Sequence, residues 1–295
     1  MGVTSMIIRY ISPNDEVLEL KDWPSERNYL LQDYEGFGEG PVTIQMQKAP
    51  FQDGRTLIDQ LLEPRELTLS FNMFGNNKQE LFDKRRNIQK LFNPANGLGI
   101  IQWEQDSGKI YEIDVVADGT PQFPSGDGRG KQHQTALVNL TAPNPLWRDD
   151  ERINIVLAKY GGGLEFPFEF DLEFGEPANS KVGNNRGDIK TPVYIEIVGP
   201  VVNPYIINET TGQKLDIQQT VETGEKIIIK TGFGEKEITL IGTDGSETNV
   251  MHWLTGDSEF FNLAVGENTL SFDEDSGAGD AGNMTIEFFQ RYVGV

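Results

Sequence analysis

Two histidines, His133 and His252, are the side chains best suited to acid–base catalysis near neutral pH. His133 lies in a glycine-rich segment, and His252 precedes Trp253. Neither has a serine or carboxylate set at a catalytic spacing, and the chain has no Gly-x-Ser-x-Gly elbow. Triad residues can be scattered along a chain, so spacing alone does not exclude a triad. We interpret both histidines as ordinary residues and predict that the protein is not an enzyme.

The glycine-rich segment 126–131 contains a Gly-Lys pair like that of a phosphate-binding loop. Such a loop needs a glycine where this chain has Ser125, and a Ser or Thr where it has Gln132. No helix follows to supply amide donors for a phosphate. The segment therefore predicts a loop and no nucleotide cofactor.

The acidic segment 273–280 is the best candidate for a calcium loop. An EF-hand loop starting at Asp273 would need an oxygen ligand at Gly277 and a glutamate at Met284. The chain also has no cysteine, which excludes disulfides and thiolate metal sites. We predict no metal and no cofactor.

Four tryptophans could provide stacking platforms for sugars, as in a glycosidase or a lectin. They are spread along the chain, which is more typical of core anchors than of one binding cleft. We keep only one of them as a candidate sugar platform, Trp253. The four are Trp23, Trp103, Trp147 and Trp253.

Length and charge limit the classes of protein further. The 295 residues are enough for two domains. The net charge is −21, with −7 from residues 1–150 (15 basic, 22 acidic) and −14 from residues 151–295 (10 basic, 24 acidic). Such a surface repels phosphate backbones, so we predict no specific nucleic-acid binding. No apolar stretch is long enough to span a membrane, and the start of the chain lacks the pattern of a signal peptide.

The first half has a distinctive order of elements. Leu67, Leu69, Phe71 and Met73 alternate with polar residues and predict a strand with one buried face. A single helix, a glycine-rich arm and further strands follow. The predicted elements are strands at 42–47, 65–74, 99–103 and 109–116, a helix at about 77–92, an exposed arm or long hairpin tip at 118–134, and a last strand running into Trp147-Arg148.

The helix carries one apolar stripe, sufficient to pack on one face of a sheet. Asn77 is a good N-cap, with Glu80 three residues beyond it. Arg85 lies inside the stripe. Either its stem lies along the edge while its head reaches water, or it makes a buried or intersubunit ion pair.

The second half reads as short strands separated by glycine-rich turns, which is typical of a β-sandwich. Residues 151–190 read as a turn-rich connector. Within it, 164–174 alternates acidic and apolar residues.

This order of elements resembles the distal tail proteins of long-tailed bacteriophages, the siphophage tail family. The most specific shared motifs are Asn-Pro-Leu-Trp-Arg at 144–148 and Val-Gly-Pro-Val-Val-Asn-Pro at 198–204. The resemblance implies a mainly β fold, with an N-terminal sandwich-like ring domain at 1–150 and a C-terminal galectin-like β-sandwich at 191–295. It also implies that the last strand, 286–295, returns to the first domain.

The function implied by the resemblance is structural. A homohexameric ring at the distal end of the tail would adapt the tail tube to the tip or baseplate, with a central channel for DNA. The expected partners are other copies of the chain, the tail tube protein, a baseplate hub protein and a receptor-binding protein. The protein would be made in the bacterial host cytoplasm and located in the virion. A carbohydrate-binding module for host recognition is the alternative.

A ring would give a role to the acidity of the chain and to its long polar loop. The acidity either maintains solubility or lines a channel through which DNA slides without sticking. A polar loop as long as 118–134 suggests a contact role. We therefore take Phe123, Arg129 and Lys131 of this loop as candidate interface residues, together with Arg85 of the helix.

Overall fold

A computed structural model describes residues 6–22, 28–158, 179–275 and 283–295. The chain divides into two compact units. The first comprises residues 1–150 together with 292–295, and the second comprises 151–291. Trp23 and the alternating segment 164–174 lie outside the described residues.

Strands dominate the described part of the first unit, together with one helix, α1 (Lys78–Leu91), and two short 3-10 turns at Pro94–Asn96 and Gly126–Gly128. Its strands are β1 (Ile7–Ile11), β2 (Val17–Lys21), β3 (Tyr29–Glu35), β4 (Val42–Gln47), β5 (Thr56–Leu62), β6 (Arg65–Phe74), β7 (Gly99–Glu104), β8 (Ile110–Ala117), β9 (His133–Ala142) and β10 (Trp147–Asp149).

The second unit consists of short strands and a 3-10 turn at Met251–Trp253. Its strands are β11 (Ile153–Ala158), β12 (Ser180–Asn185), β13 (Thr191–Pro192), β14 (Tyr194–Val198), β15 (Val201–Val202), β16 (Tyr205–Asn208), β17 (Gln213–Asp216), β18 (Thr220–Val221), β19 (Lys226–Lys230), β20 (Glu237–Ile241), β21 (Glu247–Asn249), β22 (Asn262–Leu263), β23 (Gly266–Asp273) and β24 (Asn283–Phe288), after which β25 (Arg291–Tyr292) follows.

The first unit is built on a sheet that closes on itself. The strand order is β25-β10-β8-β7-β1-β2-β3-β6-β9, and β8 also pairs with β9. The seven strands from β8 through β1 and β6 to β9 therefore form a barrel, which removes most of the free edges that a sheet would otherwise expose. The hairpin of β4 and β5 is a separate two-stranded sheet.

The inner face of β6 is the centre of the first core. Leu67, Leu69, Phe71 and Met73 are all buried, which confirms the face predicted from their alternation. The β6–β9 ladder runs over ten residue pairs, from Arg65 opposite Ala142 to Phe74 opposite His133. This long ladder fixes the register between β6 and β9.

Helix α1 starts and packs as its sequence predicts. The Asn77 side chain accepts a hydrogen bond from the Glu80 amide, and the Glu80 carboxylate accepts one from the Asn76 amide. Phe92 ends the helix and stacks on Tyr10 of β1, with ring centroids 4.3 Å apart. The helix thereby covers one side of the barrel.

The segment 118–134 forms the tip of the β8–β9 hairpin, one of the two forms predicted for it, and many of its residues are exposed. It folds back along β9, with Gln122 bridging Leu137 and a short 3-10 turn at Gly126–Gly128. The buried Gln134 amide donates to the carbonyl oxygens of Pro124 and Gly128. These hydrogen bonds hold the tip of the hairpin against the barrel.

In the second unit, two sheets share one core. The six-stranded sheet has the order β11-β24-β14-β19-β20-β21, and the four-stranded sheet has the order β12-β23-β16-β17. Ile195, Ile229 and Ile286 from the first sheet belong to the same buried cluster as Phe272 and Leu270 from the second. The predicted mainly β fold with one helix is confirmed.

Asn268 organises the turn that leads into β23. Its side-chain oxygen accepts from the Ala264 amide at 2.9 Å, and its side-chain nitrogen donates to the carbonyls of Ala264 and Gly266. Asn208, at the end of β16, donates to the Asn268 oxygen at 3.3 Å. Both asparagines are fully buried, so their hydrogen bonds cannot be replaced by bulk water.

Asn268→Ala is therefore expected to lower the free energy of unfolding by about 2 to 4 kcal/mol, because it leaves buried donors and acceptors unpaired. The measurement is chemical denaturation of the purified chain. Asn184→Ala, at an exposed position on neighbouring β12, is the control and should change stability by less than about 0.5 kcal/mol. Equal effects of the two variants would contradict the role given to Asn268.

Candidate assembly surfaces

The β4–β5 hairpin is the most exposed apolar element of the first unit. Every residue of both strands is exposed. Ile44 and Ile58 expose 50% and 59% of their surface, and Phe51 at the tip is fully exposed. Monomeric soluble proteins rarely leave such a continuous apolar patch in water. The hairpin is therefore a candidate interaction surface.

The apolar residues are concentrated on one face of the hairpin. Val42, Ile44 and Met46 alternate along β4, and the register places Leu62 opposite Val42 and Leu57 opposite Met46. A β-bulge shifts the register after Gln45. The result is a mainly apolar face with two open strand edges, which suits pairing with another chain.

The sequence predicted β4 but missed β5. The bulge makes Ile58 an extra residue in β5, next to Leu57. The apolar residues of β5 therefore do not alternate with polar ones, and alternation is the sequence pattern that indicates a strand. The Asp53-Gly54 pair between the two strands was the usable signal, because Asp-Gly favours hairpin turns.

Arg65, at the start of β6 beside the hairpin, is buried with only 1% of its surface exposed. Its guanidinium donates to five main-chain carbonyl oxygens. They belong to Gly36, Phe37, Glu39, Pro145 and Val293. One side chain thereby ties together the loop after β3, the turn before β10 and the segment 292–295.

Among the described residues, no carboxylate pairs with Arg65. Burial lowers the pKa of its guanidinium, although arginine stays charged in proteins. The planar fork of N–H donors explains why arginine occupies this position, since several carbonyls converge on it from different directions.

A second contact holds the segment 292–295 in the first unit. The Lys109 ammonium donates to the Tyr292 hydroxyl at 3.0 Å and lies 3.2 Å from the Asp149 carboxylate. It also lies 4.6 Å from the ring centroid of Tyr111. Burial lowers the pKa of Lys109, but the hydrogen bonds to Tyr292, Tyr111 and Asp149 outweigh it, so the pKa is raised.

Three of the four predicted interface residues lie together. The Arg85 guanidinium lies over the Phe123 ring, 4.6 Å from its centroid. Arg85 and Arg129 line the same shallow pocket, together with Lys78 of α1 and His133 of β9. Lys131 is two residues further along the same loop and is exposed. Their role in an interface stays a prediction.

The structure narrows the two interpretations of Arg85. Its side chain is half-buried, and it makes no ion pair with a described residue. Contact with Phe123 and, at 5.8 Å, with the Phe82 ring holds the guanidinium in place. An intramolecular ion pair with a described residue is therefore excluded, and the intersubunit pair stays a prediction.

Trp253, the predicted sugar platform, lies in the 3-10 turn Met251–Trp253. It is half-buried and packs against the second core. The His252 ring lies edge-on to it at 6.2 Å. Of the other tryptophans, Trp147 is fully buried in the first core, and Trp103 packs against that core.

Trp253→Ala separates the two roles of this residue. A packing role predicts a fall of about 2 kcal/mol in unfolding free energy, less than for a fully buried aromatic. The sugar hypothesis predicts instead that the wild-type chain binds glycans on an array and that the variant loses that binding. A silent wild-type array would remove the sugar platform.

The described ranges contain no group of three His, Asp or Glu side chains placed to hold a metal ion. His133 and His252 lie in different units. No helix in the described part of the chain is both long and apolar enough to cross a membrane.

Comparison with known proteins identifies the class. A model described as "Phage tail protein RIFT-related domain" matches residues 17–169, which is more than half of the chain. A second model, "Siphovirus-type tail component, C-terminal domain", matches residues 186–292. The comparison with curated proteins gives no match.

Solved structures share the fold over nearly the whole chain. The SPP1 Dit (gp 19.1) protein, described as a paradigm of the hub adsorption apparatus in phages that infect Gram-positive bacteria, aligns with a TM-score of 0.68 and 14% identity. The alignment covers 97% of this chain and 98% of that one. A chain of the phage P2 baseplate in its activated conformation with Ca aligns with a TM-score of 0.56 and 8% identity, over 98% and 99% of the two chains.

The fold and the family models define a structural component of a phage tail or baseplate. The chain belongs to the siphophage tail protein family and is a distal tail protein. As a tail component it is located in the virion.

Proposed function

We propose that six copies of this chain form a closed ring at the distal end of the tail, joining the tail tube to the tip or baseplate. The exposed apolar face of the β4–β5 hairpin carries the proposal, because a virion protein with such a face needs a partner to cover it. The number six comes from the resemblance of the sequence to distal tail proteins.

The closed barrel of the first unit supports this assignment of roles. A barrel has few free edges, so the hairpin offers the open strand edges for pairing with a neighbour. A surface that meets a different surface on the next copy forms a ring when the rotation closes. The second unit then serves as a docking module for baseplate or receptor-binding proteins.

The ring encloses a channel through which DNA passes. The net charge of −21 supports a surface that repels the phosphate backbone, so DNA moves through without binding. Partners other than the chain itself are the tail tube protein above the ring and a baseplate hub protein below it.

Native mass spectrometry of the purified chain, with negative-stain images of the same sample, tests the ring. The expected result is an assembly of six protomers of 33.0 kDa each with a central opening. A chain that remains monomeric at high concentration, alone and with the tail tube protein, would overturn the proposal.

A further inference from the structure

A cluster of unpaired cations lies where α1 meets the start of β9. We call Lys78, Arg85, Arg129 and Lys131 the basic end of the first unit. Lys78 and Arg85 are seven residues apart on α1 and therefore share one face of the helix. They line one pocket with Arg129, and none of the four makes an ion pair with a described residue.

The basic end is already ordered for binding. Arg85 stacks on Phe123, so little side-chain freedom remains to be lost when its guanidinium meets an acceptor. Its N–H donors form no hydrogen bond with a described residue, so they are available for a carboxylate. Three cations around one pocket, with Lys131 two residues along the loop from Arg129, are a local reversal of the overall charge of −21.

A matching cluster of carboxylates lies at the other end of β6. We call Glu35, Glu39, Glu63 and Glu66 the acidic end. The register places Glu35 opposite Thr68, two residues from Glu66, and Glu63 at the base of the hairpin, where its amide donates to the Pro41 carbonyl. None of the four carboxylates pairs with a described cation.

The two ends cannot neutralise each other within one copy. Glu66 lies near the start of β6, whereas Phe74 at its end pairs with His133 beside the basic end. Eight residues of strand separate the two by roughly 26 Å, far beyond the reach of an ion pair. A second copy can bring the two ends together.

We propose that the basic end of one copy binds the acidic end of the next copy. The contact rests on the proposed ring and specifies one of its interfaces. It joins two different surfaces, so it repeats from copy to copy around a closed assembly. The acidic end borders the exposed hairpin at Glu63, so the charged contact continues into the apolar face.

The partner is a second copy rather than a nucleic acid. The chain's own carboxylates match the cations four to four, and both sets lie in the same unit. Charge pairs of this kind fix the register of an interface and exclude wrong partners.

Charge reversal with mixing tests the contact. Each variant reverses all four charges of one end: the basic-end variant carries K78E, R85E, R129E and K131E, and the acidic-end variant carries E35K, E39K, E63K and E66K. Each variant alone is expected to associate about 100-fold more weakly than the wild type, because like charges meet at every interface. Assembly is followed by native mass spectrometry, with circular dichroism to establish that each chain is folded.

Mixing the two variants in equal amounts is the decisive arm. In a ring where the two variants alternate, the reversed end of one variant meets the reversed end of the other, and these two ends have opposite charges. The unchanged ends of the two variants also meet, and they pair as in the wild type. The mixture should therefore assemble again, with equal numbers of both chains. Arg186→Glu with Lys190→Glu, which reverses two exposed cations in the second unit, is the control and should leave assembly unchanged.

The outcomes separate this contact from the ring itself. A wild-type chain that forms no ring overturns both. A wild-type ring with folded variants that assemble normally, or a mixture that stays dissociated, overturns the charged contact and leaves the ring standing. Assembly of the wild type that weakens as salt is raised adds support, because exposed ion pairs are screened.

Discussion

Arg65→Met is expected to lower the free energy of unfolding by about 3 to 5 kcal/mol, the largest stability effect of any single substitution proposed for this chain. Methionine fills most of the volume but donates no hydrogen bond. Carbonyl oxygens from three segments would lose their donor inside the protein, including those of Pro145, Glu39 and Val293. Differential scanning calorimetry measures the change.

Two controls accompany this variant. One keeps the positive charge at position 65 but changes the hydrogen-bond geometry, and the other removes an arginine from the surface. Arg65→Lys keeps the charge but cannot reach carbonyls in several directions, so it should be nearly as destabilising. Arg152→Met removes an arginine whose side chain is 44% exposed and is paired with Glu287. That variant should cost less than about 1 kcal/mol. If Arg65→Met were as stable as Arg152→Met, the carbonyl network would not hold the unit together.

Ile44→Asp combined with Met46→Asp is expected to dissociate the ring. Each substitution places a carboxylate in the apolar face that the proposed interface buries, and burial of an unpaired charge is costly. A loss of about 4 kcal/mol per contact raises the dissociation constant about 1000-fold. Size-exclusion chromatography with light scattering should show a shift from the ring to the monomer.

The control lies on the same strand. Thr43→Asp combined with Gln45→Asp adds the same charge to the opposite face of β4, and this variant should still assemble if the apolar face is the one buried. As separate protomers both double variants should unfold at the same temperature, because the hairpin is exposed and pairs with no other described strand of its unit. Loss of assembly in both variants would mean that added charge, and not the buried face, is responsible.

Regular periodicity made parts of the fold predictable. The β6 strand and α1 follow their sequence patterns closely, since each has one buried face and clear start and stop signals. The same alternation in β4 predicts the strand, but it does not predict that the apolar face of the strand is exposed. A period of two indicates an apolar face, and it cannot distinguish a face covered by the same chain from one left for another chain.

Other features depend on contacts that are distant in sequence. Arg65 occupies a buried position at the start of a strand, and its carbonyl partners come from residues as far away as Val293. The polar composition of the segment 118–134 predicts an exposed arm or a hairpin tip, but it does not reveal that Gln134 and Phe123 hold this tip against the barrel. The clustering of Arg85 with Arg129 likewise arises only when α1 and β9 are packed together.

The position of residues 292–295 has a consequence for biosynthesis. The ribosome makes the whole second unit before it adds Tyr292 and Val293. Until then the first unit lacks the hydrogen bonds from Lys109 to Tyr292 and from Arg65 to Val293. The Val293 carbonyl that accepts a hydrogen bond from Arg65 is added 228 residues after Arg65. Completion of the first unit is thereby delayed until the second unit has been translated, which disfavours association of unfinished chains during translation.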